Sequence, residues 1–370
     1  MSKSDIENNE IIDFVELDDD KRMILEMLIK NHLASIYENP VYIDKYRKNS
    51  IYFDLPQNTK FLLNTVYLQI TNQCNLKCIN CGKDIIWQAC NSCERWVCES
   101  EMEKTEIDQN YIINEIVKFK PSRIIFSGGN PLIEDKRIEE LIRLIIEKSE
   151  YTNIYIVTNG TLPIKLSIDV LEEINLQIVL IGNPFIDTER MYNKKERDIL
   201  KANIENLIKI NVKLNYVLHG KYWNNDTINS ITKYIATNDV FETKCFDDYV
   251  VEENKINPPS KITANEFFCN MKDNICLNNT IAINFNGDVL PCPFIYDKIG
   301  NLYKDTLTNI LKSDKRQRYW GLTKDKISNN CSTCGFRFSC TECAVVDLYF
   351  DKHYSQNHGI CSINKGKKSK

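Results

Sequence analysis

Val66-Tyr67-Leu68-Gln69-Ile70-Thr71, then Asn72-Gln73, then Cys74-Asn75-Leu76-Lys77-Cys78-Ile79-Asn80-Cys81 is the stretch that decides how the chain reads. The first six residues have the β-branched and aromatic composition of a buried strand. Directly after that strand comes a C-x3-C-x2-C loop. In α/β proteins the C-terminal ends of parallel strands are where ligands gather, so three thiols stand where chemistry is normally placed. The count is informative. A [4Fe–4S] cube takes four ligands, and three cysteines leave one iron open to an outside ligand, as a catalytic zinc keeps one position free. A zinc or cluster site completed by a fourth cysteine such as Cys90 is the alternative, and spacing alone leaves both open.

Outward from this loop, β-rich runs alternate with amphipathic helical runs, the pattern of βα units on a parallel sheet. The expected strands are Val66–Thr71, Arg123–Ser127, Asn153–Thr158, Leu176–Ile181, Val212–Leu218 and Phe241–Phe246. The expected helices between them include Asn110–Phe119, Ile138–Ser149, Glu196–Ile210 and Thr227–Ile235. Six repeats make an open sheet or a partial barrel, and periodicity does not choose. The chain divides into three regions: an N-terminal flank over 1–62, a βα domain over 63–250, and a cysteine-rich part over 261–370 beyond the linker Asn257-Pro258-Pro259-Ser260. The flank holds an apolar run, Ile11–Leu17, and a helical pattern over Lys21–Tyr37 behind Asp18, Asp19 and Asp20, acids that suit a helix N-terminus.

The chain has 370 residues and a formal net charge of -4, with Lys plus Arg 47 against Asp plus Glu 51. That balance argues against a protein that neutralises nucleic-acid phosphates. No run reaches the roughly 18 apolar residues of a membrane span, and the polar start Met1–Glu10 is no signal peptide, so a cytoplasmic protein is expected. In a reducing compartment fifteen cysteines are metal ligands rather than a disulfide framework.

Two more strand ends carry small polar residues: Ser127-Gly128-Gly129-Asn130-Pro131, and Thr158-Asn159-Gly160-Thr161. Paired glycines admit positive φ and close backbone approach to a ligand, although a tight strand-to-helix turn reads the same way. Together with the cysteine loop these motifs resemble the radical S-adenosylmethionine (SAM) superfamily over residues 66 to 248. The resemblance implies a partial (β/α)6 radical SAM barrel. Cys74, Cys78 and Cys81 would hold a [4Fe–4S] cluster whose open iron takes the amino and carboxylate groups of SAM, with Gly128 and Gly129 at the methionine end and Asn159 near the ribose. Reductive cleavage of SAM then gives a 5′-deoxyadenosyl radical that abstracts a substrate hydrogen. Asn80 stands where the family usually has an aromatic, and Asn130 where it usually has Glu; both departures fall on expected SAM contacts.

The C-terminal thiols run Cys269, Cys276, Cys292, Cys331, Cys334, Cys340, Cys343 and Cys361, with Gly287 between the second and third. On spacing alone the C-x2-C pairs read as two structural zinc sites. Behind such a barrel they are similar to the SPASM domain, which implies two auxiliary [4Fe–4S] clusters, three clusters in all. Its ligation pattern gives Cys269, Cys276, Cys292 and Cys343 to the first and Cys331, Cys334, Cys340 and Cys361 to the second. Cys340 and Cys343 are separated by two residues where the family usually has three. Cys90, Cys93 and Cys98 lie outside the common pattern and form a candidate for one more metal site, zinc or iron–sulfur, unless they are simply thiols of a Cys-rich loop. Cys245 offers a fourth ligand or a small buried hydrophobe. His219 ends the fifth strand, and the four tryptophans read mainly as packing residues.

SPASM-bearing enzymes mostly modify peptides, so the resemblance implies oxidative maturation of a ribosomal precursor peptide, a thioether or other crosslink, by an oxidoreductase of cytoplasmic RiPP maturation. Sulfatase-maturing members place an acid directly after the third auxiliary cysteine, where this chain has Pro293. The expected partners are the peptide, an electron donor such as flavodoxin or ferredoxin, and a separate peptide-recognition protein; neither membrane nor nucleic acid is expected. Dehydrogenation of a small alcohol or amino sugar is the alternative reaction. A non-catalytic iron–sulfur protein is the alternative of another class. No catalytic base is evident from the sequence.

Overall fold

In the computed structural model, the described residues are 63–78, 81, 93, 96, 108–149, 151–180, 183–185, 192–219, 225–235, 240–243, 267, 270–274, 276–327, 329–339, 344, 345 and 348. The expected helix at Lys21–Tyr37, the linker and Cys245 fall outside them. β1 (Thr65–Gln69), β2 (Arg123–Ser127), β3 (Asn153–Thr158), β4 (Ile174–Leu180), β5 (Lys213–His219) and β6 (Val240–Thr243) lie side by side in chain order, every pair parallel. A doubly wound domain would change side within its βα repeats; from β1 to β6 the order runs one way throughout. Right-handed crossovers repeated in one direction place every helix on the same face, which is the winding of a partial barrel.

Burial agrees with that winding. α1 (Gln109–Val117), α2 (Asp135–Lys148), α3 (Ile168–Glu173), α4 (Lys194–Lys209) and α5 (Asn225–Ile235) all join one apolar core with Leu68, Phe126, Ile156, Ile178 and Leu218. In α2 the buried residues are Ile138, Leu141, Ile142 and Ile145, the i, i+3, i+4, i+7 stripe of a helix with one apolar face. The alternate strand residues Ile125, Val157, Val179 and Val217 form a separate cluster on the opposite, inner face. Cys93 packs into that cluster, and Trp96, 2% exposed, packs with Ala282, Leu290 and Tyr67.

Element ends differ from the sequence reading for local reasons. α4 begins at Lys194, two residues before the expected Glu196, because Asn193 is the N-cap and Glu196 closes a capping box with it. β4 begins at Ile174 because the short helix α3 runs directly into it, and six residues are too few to show helical periodicity. β1 leaves the ladder after Gln69, where the Thr71 hydroxyl accepts the Gln73 N–H and turns the chain toward the cysteines.

The C-terminal part contributes to the same sheet. β7 (Thr280–Ile283) pairs parallel with the free edge of β1, and β8 (Asp288–Leu290) and β9 (Gly300–Asn301) continue antiparallel. Gly287, with φ +72°, makes the turn between β7 and β8. These strands are two to four residues long, so they left no period-2 signal in the sequence. A second tie joins the halves. The Glu115 carboxylate of α1, 2% exposed, accepts the Leu307 N–H at 2.9 Å at the start of α6 (Leu307–Leu311) and pairs with Lys118. Phe61–Lys261 and Asn270–Lys370 accordingly form one compact unit.

Glu115→Ala strands a buried N–H and is expected to lower unfolding free energy by about 1–3 kcal/mol. Lys118→Ala removes only the exposed partner and should cost less than about 1 kcal/mol. Urea denaturation of the two variants checks the ranking; equal losses would contradict the bridging role of Glu115.

Candidate active site

The motifs at the ends of β1, β2 and β3 meet in one network of side-chain amides. Asn130 is fully buried. Its Oδ1 accepts the Leu132 N–H at 3.3 Å and the Thr158 hydroxyl at 2.9 Å. A backbone N–H can only donate, so this orientation is fixed, and the Asn130 Nδ2 group must face the other way. It donates to Asn75 Oδ1 at 2.9 Å and Asn159 Oδ1 at 3.1 Å. Asn159, also fully buried, accepts the Thr161 N–H and hydroxyl at 3.0 and 2.8 Å. Its Nδ2 group donates to Asn75 Oδ1 at 3.1 Å and to Cys74 Sγ at 3.5 Å. Asn75 closes the ring by donating to the Thr161 hydroxyl at 2.7 Å.

The same loop is held by backbone. The Asn130 N–H donates to Gln73 O at 2.8 Å, and a Cβ on Gly129 (φ +64°) would lie 2.3 Å from that oxygen. Gly128 (φ +83°) lies against the Gln69 side chain, and a Cβ there would also come within 3.0 Å of Trp96 Nε1. Gln69 is 1% exposed, donates to Asn72 at 3.2 Å, and leaves its Oε1 without a hydrogen-bond partner. The glycines are packed against the protein's own atoms where a Cβ would stand, which seats the turn on the loop. The buried orphan acceptor of Gln69 is the feature that suits a donor such as the amino group of SAM, and in that respect these residues fit the group.

Cys74 and Cys78 pack at the edge of the main core, and the Cys81 N–H donates to Cys78 O at 3.3 Å, which joins the second and third thiol positions in one turn. Among the described residues no three His, Cys, Asp or Glu side chains converge on a single metal ion. A four-iron cube holds its sulfurs further apart than one ion does, and the donor set, three thiols plus an amide donor aimed at one of them, fits such a cube by its chemistry. In the C-terminal part, Cys276 and Cys292 share a cluster with Leu277, Phe294, Ala344 and Val345, the last two directly after Cys343 in the chain. Cys331 and Cys334 are joined by a Cys334 N–H to Cys331 O bond at 3.2 Å. Cys292 Sγ accepts the Phe294 N–H and Cys334 Sγ the Phe336 N–H, each at 3.4 Å. Cys90, Cys98, Cys269, Cys340, Cys343 and Cys361 lie outside the described residues, as does the His219 side chain. Nearby, burial, reinforced by a hydrogen bond to Asp297, pushes the Tyr319 hydroxyl above its ordinary range. Burial opposes ionisation of Asp297, but the Lys315 and Tyr319 contacts outweigh it and hold the carboxyl low.

Asn75, Thr161 and Gln69 were not singled out by the sequence motifs. The signal for Gln69 was a polar residue between Leu68 and Ile70, inside the expected strand Val66–Thr71. Asn130, expected from the sequence at a SAM contact, is buried with both ends of its amide bound to protein.

A model of the Radical SAM superfamily matches residues 68–235, and one of the iron–sulfur cluster-binding SPASM domain matches 275–335. A serine-type anaerobic sulfatase-maturating enzyme of Bacteroides thetaiotaomicron is 32% identical over 66 residues, 17% of this chain and 16% of that one. The chain spans about half or less of the length of the curated relatives it matches. Among solved structures, SuiB of Streptococcus suis bound to S-adenosylmethionine superposes with a TM-score of 0.55 at 16% identity, over 92% of this chain and 86% of that one. The same protein bound to its precursor peptide SuiA gives 0.51 at 15% identity, over 88% and 84%. anSMEcpe with bound AdoMet gives 0.53 at 15% identity, over 82% and 95%. These superpositions show a shared fold. No described helix is long and apolar enough to cross a membrane.

Gly129→Ala collides with backbone, whereas at Gly160 a Cβ would meet the movable Leu200 side chain at 2.6 Å. Both positions have positive φ, so the backbone strain is shared. Gly129→Ala should therefore weaken SAM binding at least tenfold more than Gly160→Ala, checked by equilibrium dialysis of the iron-loaded proteins. Equal losses would contradict the close approach of Gly129 to the loop.

Proposed function

With a radical SAM domain and a SPASM domain on one chain, we propose that the protein is a cytoplasmic radical SAM peptide maturase that installs an oxidative modification, a thioether or other crosslink, in a ribosomal precursor peptide. The carrying observation is the interlock at the ends of β1, β2 and β3, which puts the cysteine loop, the glycine turn and Gln69 Oε1 in one place. Cys74, Cys78 and Cys81 are the ligands for the SAM-binding cluster, with Gly128 and Gly129 at the methionine end of SAM and Asn159 near its ribose. When bound, the cluster and SAM supply a 5′-deoxyadenosyl radical that takes hydrogen from the substrate.

The remaining roles belong to the chain. The amide network holds the loop at the sheet end, and the glycines bring backbone to the methionine end of SAM. Trp96 and Cys93 cover apolar inner-face residues and keep water off them. Forming a crosslink after hydrogen abstraction leaves one electron to remove. Cys269, Cys276, Cys292 and Cys343, and Cys331, Cys334, Cys340 and Cys361, would hold two auxiliary clusters, which would supply an electron acceptor when bound, with flavodoxin or ferredoxin as the source of the reducing electron. Peptide as substrate is supported by the likeness in fold to SuiB, whose solved forms include one with a precursor peptide. Pro293 after Cys292, where an acid stands in sulfatase maturation, supports a crosslinking reaction.

Anaerobic protein given SAM and a strong reductant should form 5′-deoxyadenosine, and with its cognate precursor a peptide lighter by two hydrogens, both read by mass spectrometry. Cys74→Ala should form neither. Cys276→Ala should still form 5′-deoxyadenosine and fail to release modified peptide. Iron-loaded protein that forms no 5′-deoxyadenosine with or without peptide would contradict the proposal.

A further inference from the structure

Cys74 is the first thiol of the loop, and the amide of Asn159 points at it. The Thr161 backbone N–H donates to Asn159 Oδ1, which leaves only Nδ2 to face Cys74 Sγ, 3.5 Å away. Asn130 Nδ2 and the Thr161 hydroxyl donate to the same Oδ1 from two other sides. Asn159 and Asn130 are fully buried and Thr161 is 2% exposed, so no bulk water competes for these positions. A donor so constrained on every side is pre-organised toward the sulfur.

We infer that Asn159 is a positioning residue that sets the reduction potential of the cluster on the Cys74 loop, and that Asn130 stands in this chain to hold it there. The inference rests on the reading of Cys74, Cys78 and Cys81 as cluster ligands. Reduction adds negative charge to a cluster and its thiolates, so a hydrogen bond to a ligand sulfur stabilises the reduced form and raises the potential. Carboxamide suits this task where carboxylate does not. A Glu or Asp at 130 would direct oxygen, not N–H, at Asn159 Oδ1 and Asn75 Oδ1, and the amide pair would separate. The buried Asn130 thus acts on the cluster through Asn159.

The test is an anaerobic redox titration of the full chain, tracking the electron paramagnetic resonance signal that changes on adding SAM. Asn159→Leu removes the donor, and Asn159→Asp replaces it while keeping an acceptor for Thr161. In both, the reduced-to-oxidised ratio at fixed potential should fall about tenfold, the effect of one hydrogen bond to a charged group. A pulsed resonance coupling to an exchangeable proton should be lost in Asn159→Leu. Thr161→Val, which loses only the hydroxyl, should lower the ratio by less, and decides the matter if the Asn159 variants do not take up iron. Unchanged ratios in variants that carry iron overturn the inference and leave the ligand reading intact. Equal iron in wild type and Cys74→Ala overturns both.

Discussion

The structure depends on the hydrogen bonds by which Asn130, buried beneath the cysteine loop, joins the ends of three strands. Its donors reach Asn75 and Asn159, and its acceptor takes Thr158 and the Leu132 N–H. Each of these groups is expensive to leave unmade in a buried site, and a satisfied network specifies one arrangement. A loop carrying three thiols cannot present them reproducibly if its base moves. Here the base is fixed from β2 and β3, so the placement of the loop is decided by the sheet rather than by the loop itself.

The winding supplies the other half of the arrangement. Helices collected on one face leave the opposite face for ligands, and in this chain that face is neither bare nor wholly polar. Ile125, Val157, Val179 and Val217 line it, and Cys93 and Trp96 from the connection after the loop pack against it and its neighbours. A reactive radical of the kind proposed would need surroundings that exclude water, and apolar strand residues beside an indole are of that kind. β7 extends the sheet beside β1, and Glu115 reaches from α1 to the start of α6, so the thiol-rich part is joined to the barrel by backbone ladder and by a buried carboxylate.

How much of this was legible in the sequence depended on what each feature rests on. β2 and β3 were read to the residue because β-branched runs bounded by Pro, Gly and Asn are local signals. The spacing of Cys74, Cys78 and Cys81 is a local signal too, and the Radical SAM model matches the stretch that contains it. α3 and β7 to β9 were not: they are too short for periodicity, and their stability comes from pairing and packing with distant strands. Asn130 shows the sharper limit. Its position marked it as a departure at a SAM contact, yet its role depends on Asn75, Thr158 and Asn159, separated along the chain and adjacent only once the strands are in order. Asn75 and Thr161 stayed unmarked for the same reason. A hydrogen-bond network assembled from three loops has no one-dimensional pattern.

The central claim is that the three-thiol loop leaves one iron open and that SAM occupies it. The most direct measurement uses a variant with Cys276, Cys292, Cys331 and Cys334 replaced by alanine, so that the Cys74 loop holds the remaining cluster, and records its reduced electron paramagnetic resonance spectrum with and without SAM. The account predicts about four irons per chain and a spectrum that shifts when SAM is added. A cluster that forms but whose spectrum is indifferent to saturating SAM would contradict it.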